Sequence, residues 1–386
     1  MRKAISVGAL FTLCMMSGSA WGQGITLPWG QSSDMIAWEE FVQVVAPSGN
    51  QNVQKVEFET WASDEDIYEK SPAQWPTVDA PKVLQVSALG ASRAEGMAKF
   101  VFIVGNCSPP GGLTRPKDAP VAAGSGFPAS GCIGEEVRRN WASFQYIVSN
   151  GLDSRSGLKR AFASNFKVDL PSDAIEFKGD WASVDDVAKW LSIDRGKVED
   201  NYYINTVYDG KSKVEFALLS FHISTKQIKN WVWSDFEGSL NPGRCDVIGC
   251  RDSFGAEKPL VVPNKAPWQS YGGCEKTKPV LAMFENSGIG AVWQRYCLKG
   301  TQVTFTDDSG NPTLLGNSVI EPLDAAVPMN RSSCISCHGY ASFNANGGAN
   351  SSVLDDNLIG EIDKERMKGY LSNDFIWGNF LRNLKN

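Results

Sequence analysis

The chain is short of histidine: His222 and His338 are the only two among 386 residues. With no second Cys-x-x-Cys and no Cys/His cluster, a four-ligand structural zinc site cannot be assembled from the obvious donors. A basic stripe is also missing. The formal charge is −6, so a nucleic-acid partner is not expected. No Gly-rich phosphate loop, nucleophile triad or paired-carboxylate signature stands out. The acidic doublets Asp185-Asp186, Asp307-Asp308 and Asp355-Asp356 read as a helix cap and turns, without the ligand spacing of a calcium loop. After the first two dozen residues nothing approaches the run of about 18 apolar residues that spans a bilayer. There is no internal repeat.

What is present is Cys334-Ile335-Ser336-Cys337-His338. Cys-x-x-Cys-His is the attachment pattern of a c-type haem. Two thiols three positions apart can bond to the two vinyl groups of one porphyrin, and the adjacent imidazole can ligate the iron as the proximal ligand. One of the two histidines falls at the fifth position of the pattern, which sharpens the signal. A thioredoxin-like dithiol would sit near a βαβ unit, and no such unit surrounds Cys334. The cofactor expected is therefore one covalent haem c.

The amino terminus fits export. Arg2 and Lys3 precede an apolar run from Ala4 to Met16, and Ala20-Trp21-Gly22 offers a cleavage site before Gln23. Residues 1–22 are read as a signal peptide and the periplasm as the destination, with no stable membrane insertion. Its loss would remove Cys14 and leave eight cysteines, two of them for the haem. Cys107, Cys132, Cys245, Cys250, Cys274 and Cys297 remain, an even number in an oxidising compartment. Sequence alone does not fix their pairing. Cys245–Cys250, across a short Gly-ended loop, is the first pairing expected, then Cys107–Cys132 and Cys274–Cys297.

The fold class expected is α+β: an N-terminal lobe, residues 23–318, with an antiparallel sheet and packed helices, then a small, mainly α, cytochrome c-like haem segment, residues 319–386. Periodicity predicts helices over Asp34–Val45 and Glu135–Asn150, with Ser33 or Asp34 as the first cap, and a short one near Leu158–Ala163. Residues 100–104 read as a buried strand. Ala174–Trp181, Tyr202–Tyr208, Lys213–Ser224 and Asn230–Glu237 read as consecutive strands, with a hairpin turn at Asp209-Gly210. Asn241–Pro279 reads as loop. A further hairpin is expected from Val303–Thr306 and Thr313–Ile320, and helices over Leu358–Tyr370 and Asp374–Leu384. So small a terminal segment buries little by itself and is expected to lean on the lobe before it.

An electron carrier usually gives its iron two protein ligands. Met367 is one candidate for the distal place, lying downstream of the motif as in small class I cytochromes c, although its neighbours are heavily charged. His222 is the other: alternation in Phe216–Ile223 puts it on a face with Phe216 and Leu218. Met329 is a weaker third. Several stretches resemble a broad group of exported bacterial monohaem cytochrome c family proteins. They are Ala37-Trp38-Glu39-Glu40-Phe41, Ser220–Lys226, Asn230-Trp231-Val232-Trp233, Phe236-Glu237, Leu315-Gly316-Asn317 and Ser333–His338. The resemblance implies haem and periplasm, not a substrate. In that group Phe-Glu is followed by histidine, whereas Gly238 stands here, so the resemblance directs attention to His222. The function expected is electron transfer to or from a redox partner protein. The alternative is a haem oxidoreductase or peroxidase-like enzyme with a pocket between the lobes.

Overall fold

Helix α1, Ser33–Val45, carries the aromatic side chains around which one half of the core is built. Trp38 and Phe41 are fully buried and stack among Phe221, Phe236, Phe284 and Trp293. Aromatic pairs at such spacings add to the stabilisation that burial already gives. The cap is Ser32, whose hydroxyl accepts from the Met35 amide, one residue before the earlier of the two caps expected. Asp34 is used elsewhere: it accepts from the Ser253 amide and the Thr301 hydroxyl. The computed structural model describes residues 27–28, 31–49, 55–77, 82–86, 103–105, 124–128, 131, 133–208, 213–264, 266–325, 327–353, 356 and 358–378.

The elements that follow are β1 (Ala62–Ser63), β2 (Lys82–Val86), β3 (Ile103–Gly105), β4 (Gly134–Arg139), α2 (Trp141–Ser149), α3 (Arg155–Ala163), β5 (Ile175–Ser183), α4 (Val184–Leu191) and α5 (Arg195–Asn201). Then come β6 (Ile204–Tyr208), β7 (Lys213–Thr225), β8 (Val232–Gly238), a small β9–β10 pair (Cys250–Arg251, Leu260–Val261), α6 (Lys278–Asn286) and β11 (Tyr296–Gln302). All but β9 and β10 of these strands join one nine-stranded sheet, antiparallel except where β2 pairs with β3 and β6. The chain is thus α+β with an antiparallel sheet and packed helices. Strand β5 sits between β4 and β7, and the 13-residue β7 carries both β6 and β8 along its other edge. The β6–β7 pairing is the hairpin expected around Asp209-Gly210, although residues 209–212 lie outside those described.

An irregularity in β7 decides what faces what. Trp181 pairs with Leu218 while Asp180 pairs with Ser220, so Leu219 is an extra residue in the ladder. Phe216 and Leu218 lie in the α1 core, and after the bulge so do Phe221 and Ile223. His222 therefore stands on the opposite face from Phe216 and Leu218, contrary to strict alternation. Its cross-strand neighbours are Lys178 and Asp235.

Other expectations are corrected too. Residues 134–139 form β4, not the start of a helix; only Trp141–Ser149 is helical, capped by Asn140. The charges of β4 are absorbed by buried pairs: Arg138 with Glu136, and Arg139 with Asp64 and Glu176. The hairpin expected over 303–320 reduces to a bridge between Thr306 and Pro312 around an Asp307 turn. Residues 358–369 are turns and irregular chain rather than a helix, and Tyr370 begins a strand. Gly360 and Gly369 have positive φ, and the Asp363 carboxylate bonds the Glu365 amide, a local alternative to helical bonding. The terminal segment keeps a short helix α7 (Cys334–Gly339) and a pair β12 (Ser342–Asn344) with β13 (Tyr370–Ser372). Asp374 and Phe375 have φ of 49° and 70°, which prevents a helix from starting there. Residues 379–384 lie outside the described part. Leu315, Cys334, Ile335, Phe343 and Ile376 share one core cluster with Phe144, Leu158, Trp231 and Trp233. Packing thus runs across position 318 without a break.

Cys245–Cys250 and Cys274–Cys297 are disulfide-bonded, two of the three pairs expected. Cys107 and Cys132 lie outside the described residues, as do residues 1–22. No described helix is long and apolar enough to cross a membrane. At Gly238 any side chain would overlap the ring of Tyr202, itself buried and bonded to Asn241. Gly238→Ala should therefore lower unfolding free energy by about 1–3 kcal/mol, the usual cost of overpacking a core. Urea melts check this; an unchanged midpoint would remove the steric reason for glycine.

Candidate cofactor site

Helix α7 is built for its position by β11. Ser333 caps it through Ser336, and Gln302 at the end of β11 bonds the Ile335 amide through its oxygen and Ser333 through its nitrogen. Cys334 and Cys337 are one helical turn apart, on the same side. Cys334 is buried, with its sulfur 3.6 Å from the Leu315 carbonyl; Cys337 is exposed. They are the two free thiols among the described residues. Burial pushes the Cys334 thiol well above its ordinary value, so it stands as a protonated thiol.

His338 is held from behind. Its Nδ1 lies 2.8 Å from the Phe375 carbonyl, which can only accept, so Nδ1 carries the hydrogen and Nε2 keeps its lone pair. Nε2 forms no hydrogen bond among the described residues. Burial lowers the imidazole's pKa to about 3 against the opposing pull of that carbonyl, which keeps the ring neutral. The Trp233 ring packs on it at 4.6 Å between centroids, and Trp377 donates to the Cys337 carbonyl. The Phe375 carbonyl is aimed by a clamped loop: Asp374 pairs with buried Lys226 at 2.6 Å and accepts from the Leu170 amide. Two free thiols one turn apart, then a neutral imidazole with a backed Nδ1 and an open Nε2, meet the chemical requirements of covalent haem attachment.

His222 reaches this segment from the sheet. The ligand atoms of His222, Glu321 and Cys334 all lie within 4.8 Å of one another. Its Nε2, however, faces carboxylates, 3.3 Å from Asp235 Oδ2 and 3.9 Å from Glu321 Oε1. The approach to Asp235 is that of an ion pair, and bonding to that carboxylate is among the causes that raise the imidazole's pKa. Both carboxylates are fixed by the loop before α7. Asn317 donates its side-chain amide to Asp235 Oδ1 and its backbone amide to Glu321 Oε2. Gly316 leaves room for this, since a Cβ there would lie 2.9 Å from the Glu321 carboxyl carbon. Glu237, next along β8, is satisfied separately by Ser318 and buried Lys299.

Met367 lies under α7, half-buried beside Tyr340, Ala341, Val353 and Trp377. Its sulfur accepts weak bonds from Ser342 at 3.8 Å and Asn350 at 4.0 Å. Met329 is buried in the turn Met329–Arg331 leading to α7. Sequence reasoning missed Asp235, Glu321 and the Phe375 carbonyl. The first needs the β7–β8 register, and a backbone acceptor leaves no residue-type signal. No known protein family, curated protein or solved structure matches this chain.

Burial raises the Glu321 carboxyl to about 7; the charge on His222 opposes this and that on Asp235 adds to it. For His222, burial works downward, but the two carboxylates outweigh it and the pKa rises. A folded pKa above the unfolded one means stability that is full at low pH and lost as pH rises. Stability should fall between pH 4.5 and about 7. Glu321→Gln should flatten that fall. Equal slopes of urea midpoint against pH in both proteins would contradict it.

Proposed function

We propose that this chain carries one haem c, bound through Cys334 and Cys337 with His338 as proximal ligand, and that it transfers electrons to or from a partner protein. The observation that carries the reading is the backed imidazole: His338 presents Nε2 because Phe375 holds Nδ1. Bound there, the haem would supply a one-electron couple at iron. The chain's own residues fix the ligand. Asp374 and Lys226 anchor the loop that bears the Phe375 carbonyl, and Trp233 restrains the ring. The body of the sheet supplies the apolar wall that a short attachment segment lacks.

Export to the periplasm belongs to the same reading. It is supported by two disulfides together with two thiols left free for attachment. His222 is left out of the iron's ligand set, because its Nε2 is directed at Asp235 and Glu321. Met367 is the alternative, and it would have to leave Ser342 and Asn350 to reach iron.

Mass spectrometry of the exported, mature polypeptide should show one haem adduct mapping to the Cys334–Cys337 peptide. His338→Ala should keep the adduct and lose the low-spin spectrum. A protein whose porphyrin leaves with acid-acetone would end the proposal. Carbon monoxide separates carrier from enzyme: a six-coordinate carrier keeps its reduced spectrum, whereas an open iron shifts at once.

A further inference from the structure

We propose that the Cys274–Cys297 disulfide is a thiol-exchange site, reduced by a dithiol, and that Lys276 is the residue that makes it reducible. Lys276 is buried, and among the described residues no carboxylate pairs with its ammonium. Nζ instead donates to the Cys274 carbonyl at 2.9 Å and lies 2.8 Å from Cys274 Sγ, with the face of Trp38 5.3 Å away. Asp252, the acid that acts on it, is taken up by the Trp38 indole and by the amides of Phe254 and Gly255. Burying an ammonium without a carboxylate is costly. A cation aimed at a disulfide sulfur meets its counter-charge only when that sulfur becomes a thiolate, the state that a neighbouring lysine favours.

Access is one-sided. Cys274 is half-buried and follows Gly272 and Gly273, where an added Cβ would meet no atom within 4 Å, whereas Cys297 is fully buried on β11. A thiolate of the dithiol therefore attacks Cys274 Sγ; the bond to Cys297 breaks and Cys297 leaves as a thiolate. The second thiolate of the dithiol then attacks its own partner sulfur in the mixed disulfide, and Cys274 leaves as a thiolate on the sulfur that Lys276 contacts. In sum the cystine gains two electrons and two protons, and the dithiol becomes a disulfide. Burial lowers Lys276 to about 7; Arg244 and Arg295 add to this and Asp252 opposes it, so the ammonium is acid enough to hand a proton to a departing sulfur. The other disulfide is a comparison within the same chain. Arg244 stands 3.6 Å from Cys250 Sγ, yet Cys245 and Cys250 are both buried and give a thiol no entry.

The test uses the purified mature protein, its free thiols blocked beforehand, with dithiothreitol as the dithiol. Alkylation and mass spectrometry then identify the cysteines released. Cys274–Cys297 should open at least about tenfold faster than Cys245–Cys250. Lys276→Met should slow that opening at least about tenfold, with circular dichroism and the Cys245–Cys250 rate unchanged. Glutathione, a monothiol, should stall as a mixed disulfide on Cys274. A Cys274–Cys297 bond that resists dithiothreitol, equal rates for the two disulfides, or equal rates for parent and Lys276→Met overturn the proposal. So does glutathione found on Cys297. Where Lys276→Met does not fold, the rate ratio and the position of glutathione in the parent protein decide. The step needs no haem, so a chain found without haem answers the same test.

Discussion

His222, Asp235, Glu237 and Glu321 lie in one buried layer, and the cost of desolvating such groups must be met by partners or the fold would not form. The partners come chiefly from one stretch, residues 316–321. Asn317 and Ser318 take part in six hydrogen bonds within that loop and to the two carboxylates of β8. Gly316 permits the approach, because a side chain there would run into Glu321 and Ser332. A polar layer of this kind ties the loop to the sheet, and the loop leads directly into α7.

Helix α7 therefore has little independence. It is six residues long, too short to be stable alone. Its first turn is held by Gln302 from β11, and its buried cysteine rests on Leu315. His338 is oriented by the Phe375 carbonyl, which depends on Asp374 and, through Lys226, on the residue that follows β7. Each contact reaches back into the sheet. The need for a large lobe behind a single Cys-x-x-Cys-His motif is then physical: the lobe is the scaffold on which a weak helix and a strained loop keep their geometry.

How far the sequence foretold this can be argued residue by residue. Strands β5 to β8 were legible because each is a long apolar alternation bounded by turn residues. The parity of His222 was not, since a bulge at Leu219 depends on what β5 pairs with and leaves no mark in composition. Gly134–Arg139 failed for a related reason. Its Glu and Arg residues read as the exposed side of a helix, whereas Asp64, Glu136 and Glu176 bury them as ion pairs. The charged run Asp363–Lys368 also suggested a helix, but Asp363 and the flanking glycines favour turns. Cys245–Cys250 and Cys274–Cys297 are two of the pairings expected, though fifteen were open and spacing did not decide among them. Cys334, Cys337 and His338 were named by spacing; what holds them could be seen only in three dimensions.

The two histidines are treated in opposite ways by the same fold. Around His338 the protein offers partial burial and a single carbonyl, so the ring is neutral and its Nε2 is open. Around His222 it places two carboxylates, Asp235 at 3.3 Å and Glu321 at 3.9 Å, which favour a proton on the ring and raise its pKa against the effect of burial. The charge on each histidine is thus set by what its ring nitrogens face, a carbonyl in one case and carboxylates in the other.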